Sequence, residues 1–186
     1  MLNFRRIGLI LLSIALVILA STYMEKRETT VIPFSTPSGY SGSIMLDLPV
    51  QVMAGDKTKL KARVYVAGSH TSLTPDALAG RLEAGFEELS PLGRVSVRLD
   101  NGSDVELVWT MRTSTAAQYP GNLWLWLVSD TGEELLLVRE LNLVSRSYLG
   151  LQIIMVRVGM ILLMVVSLMM VGFDLLNRSR RRVRQD

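Results

Sequence analysis

Two apolar runs, one at each end of the chain, leave only the middle free to build a water-soluble core. Residues 7–24, IGLILLSIALVILASTYM, hold 18 positions without a charge. At 1.5 Å per helical residue they reach about 27 Å into a roughly 30 Å hydrocarbon layer. The second run extends from Tyr148 to Phe173 and contains one charge, Arg157. From Val158 to Phe173 the uncharged stretch covers only about 24 Å, roughly four residues short of a bilayer. Completing the span draws Arg157 to about 5 Å inside the outer boundary. There its guanidinium either snorkels to the interface or pairs with an acidic side chain on a partner helix. Arg157 is therefore the candidate intramembrane contact.

The first run has two readings. Arg5 and Arg6 ahead of Ile7–Ala20 also fit the basic and apolar regions of a cleaved export signal. The cleavage pattern is poor, because Ile18 opposes cutting after Ala20 and the small-x-small match needs Ala20 with Thr22. An uncleaved anchor is the expectation and a cleaved signal the alternative; in both, the residues that follow are exported.

Charge fixes the orientation. A sequence pI of 9.4 invites a nucleic-acid reading until the basic residues are located. Arg178, Arg180, Arg181, Arg182 and Arg184 follow the second run, and Arg5 and Arg6 precede the first, so both ends read as cytoplasmic. Residues 24–147 hold 12 Lys and Arg against 15 Asp and Glu, a net −3 for the exported part. The seven flanking arginines thus serve as topology anchors on the anionic inner leaflet, each contributing about 1 kcal/mol near the surface, and no nucleic-acid partner is expected. The organisation predicted is a cytoplasmic N-terminus at 1–6, a transmembrane helix at 7–24, an extracytoplasmic domain at 25–147, a second transmembrane helix at 148–174 and a basic cytoplasmic tail at 175–186.

The exported part reads as short strands. In Thr58–Val66, Leu60, Ala62, Val64 and Val66 alternate with Lys59, Lys61, Arg63 and Tyr65, the pattern of a half-buried antiparallel strand. Ile44, Leu46, Leu48, Val50 and Val52 keep the same period, interrupted at Pro49, which places this strand at an edge or breaks it there. The turn at Met53–Lys57 makes the pair a hairpin. Val95, Val97 and Leu99 lead through Asn101-Gly102 to Val105, Leu107, Trp109 and Met111, a hairpin signal. In Asn122–Val128 the leucines lie on one face and Trp124 and Trp126 on the other, as in a strand covered on both sides. Asp130-Thr131-Gly132 then turns into Leu135, Leu137, Leu141 and Leu143, with Arg139 interrupting. Residues 74–90 stay ambiguous. Thr74-Pro75 with Leu78, Leu82, Phe86 and Leu89 fits a helix, whereas Gly80 and Gly85 each cost about 1 kcal/mol inside one.

The succession LEAGFEELSP, VELVWTM and PGNLWLWLVSDTGEELLLVREL resembles the immunoglobulin-like extracytoplasmic sandwiches of bacterial membrane proteins with two transmembrane helices. The resemblance covers roughly residues 45–145 and implies a β-sandwich with a binding or assembly role; it favours strand and loop over 74–90.

Chemistry is sparse. One His and no Cys remove thiol catalysis, disulfides and most metal sites, and His70 lies in a Gly/Ser-rich loop with no orienting partner specified. Glu87-Glu88 and Glu133-Glu134 are adjacent acids that point apart. Of the ten methionines, Met155, Met160, Met164, Met169 and Met170 lie in the second apolar run, where Met is ordinary packing rather than a copper ligand. No phosphate loop, Rossmann pattern or nucleophile elbow occurs. Asn101-Gly102-Ser103 matches a glycosylation sequon but serves equally as a turn. No catalytic residue, metal or cofactor is expected. Trp124 and Trp126 are either core or an interaction patch. The expectation is a non-catalytic assembly subunit of the inner or plasma membrane whose partners are lipid, other membrane subunits or further copies of itself. The alternative is an extracytoplasmic ligand sensor that signals to a separate cytoplasmic partner.

Overall fold

The computed structural model describes residues 4–67, 76–99, 104–130, 132–148 and 150–182. The chain divides into two compact units, Glu25–Ser147 and the two ends Met1–Met24 with Tyr148–Asp186.

Glu25–Ser147 is a two-sheet sandwich. Its strands are β1 (Arg27–Ser35), β2 (Ser41–Pro49), β3 (Val52–Met53), β4 (Lys57–Ala67), β5 (Ala77–Ala84), β6 (Glu88–Ser90), β7 (Arg94–Arg98), β8 (Asp104–Arg112), β9 (Gln118–Ser129) and β10 (Gly132–Arg146). One sheet has the order β1-β2-β4-β8-β6 and the other β3-β10-β9-β5-β7. All pairings are antiparallel except β3 with β10. The central pairs β4-β8 and β5-β9-β10 reproduce the B-E and C-F-G pairings of an immunoglobulin-type sandwich. Period-two patterning drives this. On β4 the residues Leu60, Ala62 and Val64 are fully buried, and Leu123 and Leu125 on β9 meet them from the facing sheet as part of one core. Each such leucine contributes about 1.5–3 kcal/mol by leaving water.

Trp109 on β8 fills the centre. Its ring lies over Gly80 of β5, where an added Cβ would stand 2.6 Å from Leu107 Cδ1 and 2.9 Å from Trp109 Cη2. The glycine that speaks against a helix in 74–90 is thus a position where side chains of the opposite sheet approach the β5 backbone closely. Residues 77–84 and 88–90 are strands; Thr74 and Pro75 lie outside the described residues.

A tyrosine closes the β8–β9 corner. Tyr119 hydroxyl lies 2.5 Å from Thr113 Oγ1 and 2.6 Å from Thr115 Oγ1, and reaches back to the Thr115 carbonyl at 3.4 Å. This is the tyrosine corner of immunoglobulin-like domains, at the start of the sixth core strand. Phe86 stacks on its ring at 4.7 Å. Glu87 accepts hydrogen bonds from Ser114 N (3.1 Å) and Ser114 Oγ (2.6 Å), and the Ser114 hydroxyl bond chiefly holds its carboxyl below the ordinary range.

Three expectations need correction. Residues 95–99 and 105–111 do not form a hairpin, because β7 pairs with β5 in one sheet and β8 with β4 and β6 in the other. Asn101-Gly102 lies outside the described residues, as does His70. The period-two run 44–52 breaks after Pro49, where the chain changes sheet and Val52–Met53 joins β10 in parallel. Leu135 does not share the inward face of Leu137, Leu141 and Leu143: an irregularity between Leu135 and Leu137 turns Leu135 outward, where it is 54% exposed. Strand β1, which no sequence signal marked, pairs with β2 along its whole length.

The second unit consists of α1 (Phe4–Ser21) and α2 (Ile153–Arg182). Within α2, Ile153–Phe173 is 21 residues long with a mean hydropathy of 2.5, long and apolar enough to cross a membrane, whereas Arg6–Ser21 is a shorter apolar helix. Relative to the boundaries 7–24 and 148–174, α1 starts earlier and ends before Thr22, and α2 starts at Ile153 and runs on through the basic segment to Arg182.

Candidate functional site

Two places gather the residues singled out from sequence. In the sandwich, Leu123, Leu125 and Leu127 point into the core, so alternation sends Trp124 and Trp126 to the outer face of β9. Both are half-buried; the strand is covered by protein core on one side only, which corrects the two-sided reading. Across the sheet, Trp126 stands opposite Leu135 of β10 and Ala79 of β5, and Trp124 opposite Val138 and Arg81. Leu135 is 54% and Val138 51% exposed. The result is an apolar band of two tryptophans, a leucine and a valine on the outer surface of a sheet, where an antiparallel sandwich ordinarily presents polar side chains.

Charges frame this band. Arg94 of β7 makes a two-pronged ion pair with Glu133 of β10, at 2.7 and 2.9 Å, and its guanidinium lies 5.2 Å from the Trp126 ring centroid. The pair therefore straddles Trp126, and the Arg94 hydrogen bonds hold the Glu133 carboxyl below its ordinary range. Arg81 pairs with Glu83 on β5. Past Trp124 the band ends in an open groove of about 980 Å³ lined by Glu83, Asn122, Glu140 and Asn142 together with Pro120 and Leu141. Among the described residues no group of three or more His, Asp or Glu side chains is placed to hold a metal ion.

In the helical unit, Arg157 Nη2 donates to the Thr22 carbonyl at 2.9 Å, and Nε donates to Thr22 Oγ1 at 3.3 Å. The guanidinium also lies 4.2 Å from the Tyr23 ring centroid. These receiving groups are neutral and belong to the same chain, a pairing the sequence reading did not weigh. A cation there meets the unsatisfied carbonyls and the negative dipole end of α1. At the other end of the pair, an added Cβ on Gly8 would stand 2.9 Å from Val171 Cγ2 and 3.0 Å from the Ser167 carbonyl. Contacts of Gly8 with 167–171 and of Thr22 with Arg157 make the helices antiparallel. Gly8 and Ala15 on α1 and Thr22 just past its end, spaced by seven, are buried, as are Ile153, Val156 and Ser167 on the α2 side. That is the spacing of a left-handed helix pair with small residues at the contact. Ser21 Oγ lies 3.3 Å from the Tyr148 hydroxyl and closes the same end. Arg6 is exposed on α1; Arg5, Arg178, Arg180, Arg181 and Arg182 belong to the two helices, and Arg184 lies outside the described residues.

No protein family and no curated protein matches the sequence. Solved structures with similar backbones include the cohesin module of a Clostridium perfringens family 33 glycoside hydrolase, at TM-score 0.40 and 12% identity over 57% of this chain and 98% of that one. The CARDB domain of a Pyrococcus furiosus protein, described in complex with di-metal ions, matches at TM-score 0.33 and 12% identity over 66% of this chain and 98% of that one. The immunoglobulin-like arrangement rests on the strand pairing and tyrosine corner described above.

Proposed function

We propose that the chain is a non-catalytic, membrane-anchored assembly subunit that binds other membrane proteins through the tryptophan face of its sandwich and through its helix pair. The outer-face band of half-buried Trp124 and Trp126 with exposed Leu135 and Val138 carries this reading. A soluble monomer gains nothing by leaving such side chains in water, and Trp with Arg at its border is the composition of interface cores. Membrane anchoring is supported by the 21 residues of Ile153–Phe173, about 31 Å of helix against a roughly 30 Å layer. The arginines flanking both helices then keep the termini in the cytoplasm and the sandwich outside it. Arg157, level with the end of α1, falls near the outer boundary, where its guanidinium satisfies the α1 carbonyl instead of water. The contacts of Gly8 and Thr22 with α2 favour retention of the first helix over its cleavage, which the intact mass of the protein from membranes checks directly.

Affinity purification from membranes in mild detergent tests the function. A stoichiometric protein partner, lost in Val138→Glu, is the expected result. A lone, monodisperse chain stabilised by a small molecule refutes it.

A further inference from the structure

The net charge of the sandwich is spread unevenly along its length. Of the 12 Lys and Arg in Glu25–Ser147, Arg27, Lys61, Arg63, Arg81, Arg94 and Arg112 pair with carboxylates. Lys26, Lys57, Lys59, Arg98, Arg139 and Arg146 make no ion pair among the described residues, and four of these six gather at one end. Lys57 and Lys59 are exposed on the outer face of β4, with Lys57 in register with Arg112, and Arg27 Nη2 donates to the Lys59 carbonyl at 2.7 Å. The turn ahead of Lys57 donates from Ala54 N to the Arg146 carbonyl and from Gly55 N to the Thr113 carbonyl, at 2.9 and 2.7 Å, which brings Arg146 to the same end. Val50 N donates to the Lys26 carbonyl at 2.9 Å, and the Val50 side chain, in the turn between β2 and β3, stays 43% exposed.

The acids at this end are occupied. Glu25 pairs with Arg27 at 3.1 Å and accepts from Thr58, Asp56 accepts from Lys57 N at 3.0 Å, Glu87 is held by Ser114 and Glu88 pairs with Arg112 at 3.0 Å. The nearest acids without an ion pair are Glu28, the second residue of β1, and Glu140, six residues before Arg146 on β10. The opposite end carries Asp76, Asp104, Asp130, Glu133 and Glu134 against Arg94 and Arg98. Exposed cations without carboxylate partners, set around an exposed apolar side chain, are the composition that binds an anionic phospholipid surface.

The same end is where the chain enters and leaves the sandwich. Lys26 follows the end of α1 by five residues and Arg146 precedes α2 by seven, so chain length alone keeps them within about 18 and 25 Å of a helix end. Resting on the membrane-anchoring part of the reading above, we infer that Lys26, Lys57, Lys59 and Arg146 bind the phosphates of anionic phospholipids in the leaflet on the sandwich's own side, with Val50 entering among the headgroups. The acidic opposite end is repelled by that surface, which reinforces the choice of end.

The chain contains no cysteine, so a single Gln51→Cys beside Val50 takes one fluorescent label. The full-length chain is placed in nanodiscs of phosphatidylcholine alone or with phosphatidylglycerol, both holding the same small fraction of a headgroup-nitroxide lipid as quencher. Quenching at position 51 should rise at least two-fold in the anionic discs and lose that rise in about 0.5 M salt, where screening shortens the reach of the charges to a few ångströms. It should not rise when Lys26→Gln, Lys57→Gln, Lys59→Gln and Arg146→Gln are combined, and the label at Ser35→Cys, at the far end of β1, should not respond in any disc. Equal quenching in the two lipids overturns the inference and leaves these cations to an acidic protein; a rise that survives salt or the combined variant overturns it too. The four side chains make no ion pairs, so the combined variant should keep the wild-type fluorescence midpoint in detergent; if it does not, the salt series and Lys59→Gln alone decide. Alkaline washing of native membranes separates the two readings. A chain that washes off refutes anchoring and lipid binding together, whereas one that stays but quenches equally in both discs refutes lipid binding alone.

Discussion

Gly80→Ala puts the least possible side chain at a point where the opposite sheet packs closely on β5. The added Cβ would stand 2.6 Å from Leu107 Cδ1 and 2.9 and 3.0 Å from two Trp109 ring carbons. Leu107 is 2% exposed and Trp109 fully buried, so neither retreats into solvent. Overpacking of this kind costs about 1–3 kcal/mol, against about 0.4–1 kcal/mol regained by stiffening the unfolded chain. A net loss of about 1–2 kcal/mol follows. A unit the size of Glu25–Ser147 has an unfolding entropy of about 0.26 kcal/mol/K, so its midpoint should fall by about 4–8 °C. Trp109, Trp124 and Trp126 all lie in this unit, and thermal unfolding of the full chain in detergent followed by tryptophan fluorescence reads it selectively. Leu107→Val removes the nearest methyl, so the double variant should recover part of the loss and show a coupling of about 0.5–1 kcal/mol. An unchanged or higher midpoint in Gly80→Ala, or strict additivity in the double variant, would refute the packing of Trp109 against β5.

Three further outcomes are expected. Tyr119→Phe removes the hydroxyl that ties Thr113 and Thr115 at the β8–β9 corner and should cost about 1–2 kcal/mol, seen as a lower fluorescence midpoint with an unchanged spectrum. Gly8→Ile should lower the temperature at which the detergent-solubilised chain aggregates, while Gly159→Ile, where an added Cβ meets nothing within 4 Å, should leave it unchanged. Glu87, Glu106, Glu133 and Glu134 are held below the ordinary carboxylate range chiefly by hydrogen bonds from Ser114, Arg63, Arg94 and Ser38 respectively. Folded values below unfolded ones mean stabilisation that is complete above the unfolded value of about 4.3 and is lost as pH falls through the folded values. The unfolding midpoint should therefore hold steady from about pH 7 to 5 and drop below about pH 4, and a midpoint that rises in acid would contradict these pairings.

The sandwich was legible where one face is buried and the other solvated. Leu60, Ala62 and Val64 against Lys59, Lys61 and Arg63 fixed β4, and the turn at Asp130–Gly132 fixed the β9–β10 pair. Failures arose where local signals compete with sheet assignment. Asn-Gly marks a reversal of direction, and nothing in Val95–Met111 says that the reversal changes sheets. A one-residue irregularity near Leu136 moved Leu135 to the surface beside Trp126, and period-two reading is blind to such a shift. The tyrosine corner had a sequence trace, a Tyr a few residues past the strand of Trp109 and just before the strand of Trp124, but its partners Thr113 and Thr115 are ordinary loop residues until the corner forms. Arg157 stood out as the one charge in an apolar run, yet its contacts, a backbone carbonyl and a hydroxyl of Thr22, come from a segment 135 residues away.

The central claim is that the tryptophan face is occupied when the chain is in its membrane. A photoreactive amino acid at Val138, irradiated in intact membranes, tests this most directly, with the same probe at Thr29 on the opposite sheet as the reference. A discrete protein adduct above the 20.7 kDa of one chain, formed from position 138 and not from position 29, is the expected result. A single unshifted band from both positions would contradict the account.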